Sequence, residues 1–212
     1  MILIGMFDSP FVRRVAVSMK LLGMDYDHRN WSVGRDQAQI RQYNPLGRVP
    51  TLVLDDGEAL VESAAILDYL DETVGPERAL LPARGPVRRR GLKLMSIASG
   101  AAEKAVTQVY ENVFRPAEKR HEPWVQRCRE QTEGALAELD HACAALPKDG
   151  WLLGERMTQA DITVVCAFTF IREAAGTDTA RFPALSALAA RCEAMTEFRS
   201  LHVPFFTPTP PK

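Results

Sequence analysis

The chain has little cysteine: Cys128, Cys143, Cys166 and Cys192 are the only four in 212 residues, with no C-x-x-C pair and no metal-type spacing. A fold built on disulfides or zinc is therefore not expected, and these residues read as small buried hydrophobes or idle thiols on helical stretches. Histidine is equally sparse. His28, His121, His141 and His202 form no H-x-x-x-H pair, so no metal site is expected. Apolar runs long enough to span a bilayer are missing. No basic-then-apolar leader opens the chain either, because Met1-Ile2-Leu3-Ile4-Gly5 runs straight into a turn. A cytoplasmic location with no membrane partner is the expectation. An excess of charge of one sign is also lacking: the formal net charge is −1, which gives no general attraction to nucleic acid or an acidic membrane.

What is present is an ordinary globular supply of core residues, 46% hydrophobic, arranged in two styles along the chain. The first part alternates. Ile2-Leu3-Ile4-Gly5-Met6 reads as a buried strand, and Val12, Val15, Ala16, Met19 and Leu22 lie at helical spacing before Gly23 stops them. Tyr26 to Trp31 reads as a second strand closed by the Ser32-Val33-Gly34 turn, followed by a less regular polar segment as far as Asn44-Pro45-Leu46-Gly47. Val49 to Leu54 and Ala59-Leu60-Val61 form a hairpin about Asp55-Asp56-Gly57. A helix then starts near Ser63 with Ile66, Leu67, Tyr69 and Leu70. This order, βαβ then ββα, predicts a small α/β domain over residues 1–78. A Gly- and Pro-punctuated linker at about 79–85 leads to a helical domain over 86–212. Its helices are expected near 87–115, 123–146, 159–175 and 183–195, followed by a non-helical tail from Pro204. Charge changes sign at the linker: residues 1–78 carry 8 basic against 12 acidic side chains, and the remainder 18 against 15.

Several short patterns have both a structural and a chemical reading. Ser9-Pro10 is a standard helix start, with Ser at the N-cap and Pro at the first helical position. The same hydroxyl, at the positive end of a helix, suits donation to a ligand thiolate; it is too weak an acid to serve as a base. Pro50 at the head of a strand suggests an edge position or a cis bond. If cis, it frees the Val49 N–H and C=O for a peptide-like ligand. Glu62-Ser63 is a helix start with an acidic residue before it, and also a place where free N–H groups and a hydroxyl meet a carboxylate while Glu62 holds an ammonium. Met157-Thr158-Gln159-Ala160-Asp161-Ile162 combines a capping box, Thr158 with Asp161, and a hydrophobic staple, Met157 with Ile162. Its role is structural. Arg84, Arg88, Arg89, Arg90 and Lys93 read as a solvated helix face, with an anion or partner-subunit contact as the rival reading.

Taken in order, Ser9-Pro10-Phe11-Val12-Arg13-Arg14-Val15, Asn44 through Leu52, Glu62-Ser63 with its helix, and the box from Thr158 to Asp161 resemble the cytosolic glutathione S-transferase family. The likeness spans essentially the whole chain and is greatest for small bacterial members. It implies a thioredoxin-like N-terminal domain followed by a C-terminal helical bundle. It also implies that Ser9 assists the glutathione thiol, that Val49, ahead of a cis Pro50, pairs with the cysteinyl backbone, and that Glu62 and Ser63 hold the γ-glutamyl head. Arg48 is placed to meet the glycyl carboxylate. Phe11, Tyr110 and Phe114 are candidate walls of the acceptor pocket. Omega-like members carry Cys-Pro-Phe where this chain has Ser9-Pro10-Phe11, so thiolate stabilisation is favoured over mixed-disulfide chemistry.

The resemblance thus implies a homodimeric glutathione transferase acting on a small, mostly apolar electrophile, with glutathione as co-substrate and no further cofactor. A glutathione-dependent isomerase, dehalogenase or peroxidase would use the same thiolate. A non-catalytic carrier would keep the binding groups without turnover.

Overall fold

The computed structural model describes residues 1–207. Its first half is a four-stranded mixed sheet with strand order β2-β1-β3-β4. Strand β1 (Ile2–Ile4) runs parallel to β2 (Asp27–Arg29) and antiparallel to β3 (Thr51–Val53), which pairs in turn with β4 (Ala59–Val61). Helix α1 (Pro10–Leu22) crosses between β1 and β2, and α3 (Ser63–Val74) follows β4. Val12, Val15, Ala16 and Met19 of α1 are fully buried with Leu3, Leu52, Ile66 and Leu70, as their helical spacing requires. Gly23 ends α1 in the left-handed region, φ 67°, where a residue with a side chain would be strained. This is a thioredoxin-like arrangement, and all-helical structure follows it.

The second half comprises α4 (Gly85–Phe114), α5 (Glu122–Ala144), α6 (Gln159–Ala175), α7 (Pro183–Glu193) and α8 (Thr196–Arg199). Helix α6 is the central rod: every residue from Gln159 to Ile171 is buried. Its start is the expected capping box. The Asp161 carboxylate accepts from the Thr158 N–H and hydroxyl at 2.8 Å each, and from the Leu152 N–H at 2.8 Å. All four cysteines are buried and unpaired, and burial pushes the Cys143, Cys166 and Cys192 thiols up to about 12.

Three features differ from the sequence reading. The polar segment before Asn44 contains a one-turn helix, α2 (Gln37–Ile40), whose Ile40 packs beneath the sheet with Ile4 and Val53. The second strand is shorter than expected and exposed along its length. Helix α8 was not anticipated; fully buried Phe198 anchors it. The non-helical tail is seen through Thr207, and the rest of it lies outside the described residues.

The two halves are joined by buried polar contacts. Arg13 of α1 forms a bidentate pair with Glu193 of α7 at 2.8 and 2.5 Å and donates to the Phe198 carbonyl at 3.0 Å. The linker is clamped as well. Asp71 accepts the Leu80 and Leu81 N–H groups at 2.7 and 3.1 Å, while the Leu80 carbonyl accepts from the Gln159 N–H at 2.9 Å. Among the described residues no helix is long and apolar enough to cross a membrane.

Candidate active site

Helix α1 begins at the carboxyl end of β1, and its approach to the Val49 loop depends on Gly5. At φ 134° a Cβ on this residue would lie 2.5 Å from Val12 Cγ2 and 2.9 Å from Val49 Cβ. Only glycine lets the helix start and the loop close on the strand end together. Asn44, buried, fixes that loop from beneath: its amide donates to the Arg48 carbonyl at 2.9 Å and its oxygen accepts the Leu46 N–H at 3.0 Å. The Val49–Pro50 peptide is cis. Neither Val49 N–H nor C=O is hydrogen-bonded to another described residue.

Between the halves lies a cleft of about 430 Å³. The sheet domain contributes Asp8, Ser9, Phe11, the Trp31–Arg35 turn, Arg48 and Val49. The helical domain contributes Glu103, Val106, Val109 and Tyr110 from α4, Phe170 from α6, and Phe205 and Phe206 from the tail. Ser9 is the N-cap of α1, yet its Oγ sits a long 3.5 Å from the Val12 N–H. The cap bond is therefore weak, and the hydroxyl's hydrogen is free to point into the cleft. Phe11 and Tyr110 line the cleft. Phe114 does not; it packs edge-on against the Tyr110 ring, centroids 5.1 Å apart, and supports that wall from behind.

The charged residues form a chain along the mouth. Arg48 donates to Glu103 at 2.7 Å and lies 3.7 Å from Glu62. Desolvation pulls the Arg48 pKa down, but the two carboxylates outweigh it and hold the group above its ordinary value. Glu62 takes a left-handed backbone, φ 68°, which is costly for a residue with a side chain and is held here as the chain turns into α3. Glu62 and Ser63 lie at the head of α3, beside the cleft rather than among its lining residues, and Arg48 connects the two places. Ser63 is buried, and its Oγ accepts from Arg14 Nε and Nη2 at 3.1 and 2.6 Å.

Sequence reasoning missed Asp8, Glu103, Phe170, Phe205 and Phe206. Asp8 is desolvated, which raises its carboxyl pKa against the backbone amides of Phe206 and Ser9 that lower it. Its position next to Ser9 was the one available signal. Phe205 is held by the tail's anchorage: Glu173 accepts its N–H at 3.0 Å and pairs with His202 at 2.9 Å, and the Phe205 ring meets Phe170 edge-on. Among the described residues no group of His, Cys, Asp and Glu could hold a metal ion.

The site is thus a cleft between a thioredoxin-like sheet domain and a helical bundle, onto which a hydroxyl-capped helix start and an unpaired backbone edge open. Residues 3–78 match the family described as glutathione S-transferase, N-terminal domain, and residues 103–195 match glutathione S-transferase, C-terminal domain. The chain is 30% identical over 170 residues to the GST-like protein YibF of Escherichia coli K12, covering 80% of this chain and 81% of that one. It is 28% identical over 197 residues to maleylacetoacetate isomerase of Pseudomonas aeruginosa, covering 89% of each. A crystal structure of a glutathione S-transferase from Methylobacterium radiotolerans, in complex with glutathione sulfonate, aligns with a TM-score of 0.89 at 26% identity, over 100% of this chain and 98% of that one. The chain belongs to the glutathione S-transferase family and is an enzyme of that family.

Proposed function

We propose that this enzyme binds glutathione along the sheet domain and delivers its thiolate to a small apolar electrophile in the cleft. The γ-glutamyl head meets Glu62 and Ser63, the cysteinyl backbone pairs with Val49, and the thiol faces Ser9, with Arg48 toward the glycyl end. The observation that carries this reading is the meeting, in one cleft, of the loosely engaged Ser9 hydroxyl and the unpaired Val49 backbone with an apolar wall. A hydrogen bond to a charged group contributes about 1.5–3 kcal/mol and a helix N-terminus about 0.3–1. At roughly 1.4 kcal/mol per pKa unit, the two lower a thiol's pKa by about one to three units. From an ordinary value of about 8.5, a shift of about two units or more makes a bound thiol largely thiolate at neutral pH, and the thiolate is the nucleophile.

The division into a glutathione-binding unit at 1–78 and an acceptor unit at 86–212 belongs to the same proposal. So does a cytoplasmic homodimer, supported by the exposed apolar Val87 and Leu92 among the arginines of α4. A glutathione-dependent isomerase is the second reading, favoured by the near full-length likeness to maleylacetoacetate isomerase. Calorimetry with glutathione, followed by turnover on an aryl halide and a cis-enone substrate, tests both. Binding is expected in the micromolar to millimolar range, about −8 to −4 kcal/mol. No heat at millimolar glutathione would refute the proposal. Turnover of the enone alone would select the isomerase.

A further inference from the structure

Adjacent arginines on α1 are treated differently by the fold. Arg13 reaches a carboxylate, Glu193. Arg14 is as deeply buried, 4% exposed, yet among the described residues every hydrogen bond of its guanidinium runs to a hydroxyl: Ser63 Oγ from Nε and Nη2, Ser99 Oγ at 2.9 Å and Thr163 Oγ1 at 3.4 Å from Nη1. Burial pulls its pKa down to about 10, with Glu62 among the weaker influences holding it up. It remains a cation at neutral pH, and among the described residues no carboxylate is hydrogen-bonded to it, a state that folds ordinarily avoid for a buried charge.

The geometry at Ser63 leaves one polar hydrogen free to meet an anion. A serine oxygen has two lone pairs and one hydrogen. Arg14 directs both Nε–H and Nη2–H at that oxygen, so the Ser63 hydroxyl is left as a donor. It sits in the first residue of α3, where the helix's free N–H groups already favour negative charge. The guanidinium behind it strengthens its donor character, and Ser99 of α4, Thr163 of α6 and the Phe11 ring, 5.9 Å away, hold the guanidinium in place.

We infer that Arg14 is a positioning residue that supplies, through Ser63, the buried counter-charge for the α-carboxylate of the ligand's γ-glutamyl group. The inference rests on the glutathione reading above. The ligand carboxylate completes an ion pair that the protein leaves open, with Ser63 Oγ as the bridge. Because the guanidinium is held from α4 and α6, the helical half takes part in recognising a head group bound on the sheet domain.

The test compares glutathione with its analogue in which the γ-glutamyl α-carboxylate is a carboxamide, by calorimetry on the full chain. Wild type is expected to prefer glutathione by about tenfold or more, the scale of a hydrogen bond to a charged group. In Arg14→Met, folded by circular dichroism, glutathione affinity falls by about that factor and the preference collapses to within about twofold. Arg14→Lys restores part of the preference. A merely structural arginine would weaken both ligands alike and leave their ratio unchanged, so a retained preference in Arg14→Met overturns the inference. Ser63→Ala serves if Arg14→Met does not fold. Its preference should collapse too, and survival of the preference there means that Arg14 does not act through Ser63. Wild type that binds both ligands equally defeats the counter-charge alone. Wild type that binds neither defeats the glutathione reading and this inference with it.

Discussion

The two walls of the cleft are made in different ways. The sheet-domain wall has backbone at its centre, the helix start at Ser9 and an unpaired Val49 peptide, with the head of α3 beside it. The helical wall presents side chains set far apart in sequence, Glu103 through Tyr110, then Phe170, then Phe205 and Phe206. Backbone groups hold any ligand with a peptide's pattern and tolerate side-chain change nearby. Scattered side chains can be exchanged one at a time. On the function proposed above, a fixed thiol donor and an exchangeable acceptor match these two kinds of wall.

The comparison can be broken most severely at the frame that keeps the walls facing. Asp161→Ala removes three hydrogen bonds to a buried charged acceptor, so a loss of about 3 kcal/mol or more is expected in denaturant unfolding. A change near zero would mean that the α6 start is not what positions the helical wall. Next is Glu62, at the head of α3 beside the cleft. Glu62→Gln should weaken glutathione by about 2 kcal/mol, roughly thirtyfold, with native circular dichroism. An unchanged dissociation constant would leave Glu62 as a helix-start acid.

Ser9→Ala separates capping from chemistry at one residue. Loss of a donor to the thiolate raises the bound thiol's pKa by about one to two units, so neutral-pH turnover falls about tenfold or more and recovers in alkali. Ultraviolet thiolate titrations that superimpose for wild type and variant would leave Ser9 as a cap. For the side-chain wall, Phe205→Ala should raise the KM of an apolar electrophile about three- to tenfold while glutathione affinity stays level. A drop in glutathione affinity instead would erase the division between the walls. The smallest effect is expected in acid. Burial raises the Glu193 pKa, but Arg13 and Thr169 outweigh it and hold the carboxyl below its ordinary value. Its stabilisation is therefore present above the ordinary carboxylate range and is lost as pH falls through the folded value. Glu193→Gln should flatten the acid limb of a thermal-stability profile.

What was legible in the sequence follows the same division. Ser9-Pro10, Gly23, the Val49–Pro50 step and the Thr158–Asp161 box are local signals: Gly23 and the cis Val49–Pro50 peptide answer backbone states that few residues adopt, and Ser9 and the box supply oxygens to N–H groups at helix starts. Helix α2, at four residues, is too short for its periodicity to register. Phe114 lies one turn beyond Tyr110, about 6 Å along the axis, and that displacement carries it past the cleft. Phe205 was read as part of a tail because nothing local says that Glu173 will hold its amide. Arg14 stood in the quoted motif without a role, since arginine is ordinarily exposed and only the fold shows this one buried.

The clamped linker has a consequence for how such an enzyme can change. With Asp71 holding two linker amides and Gln159 holding the carbonyl between them, the halves cannot swing apart without breaking backbone hydrogen bonds. New acceptors must then be accommodated by replacing residues rather than by opening the jaws. A combinatorial library restricted to Val106, Val109, Tyr110, Phe170 and Phe205 would sample that freedom directly. On the function proposed above, chemistry learned by one variant should then transfer to the next without retuning the thiol, because the residues being redrawn are not Ser9 and Val49.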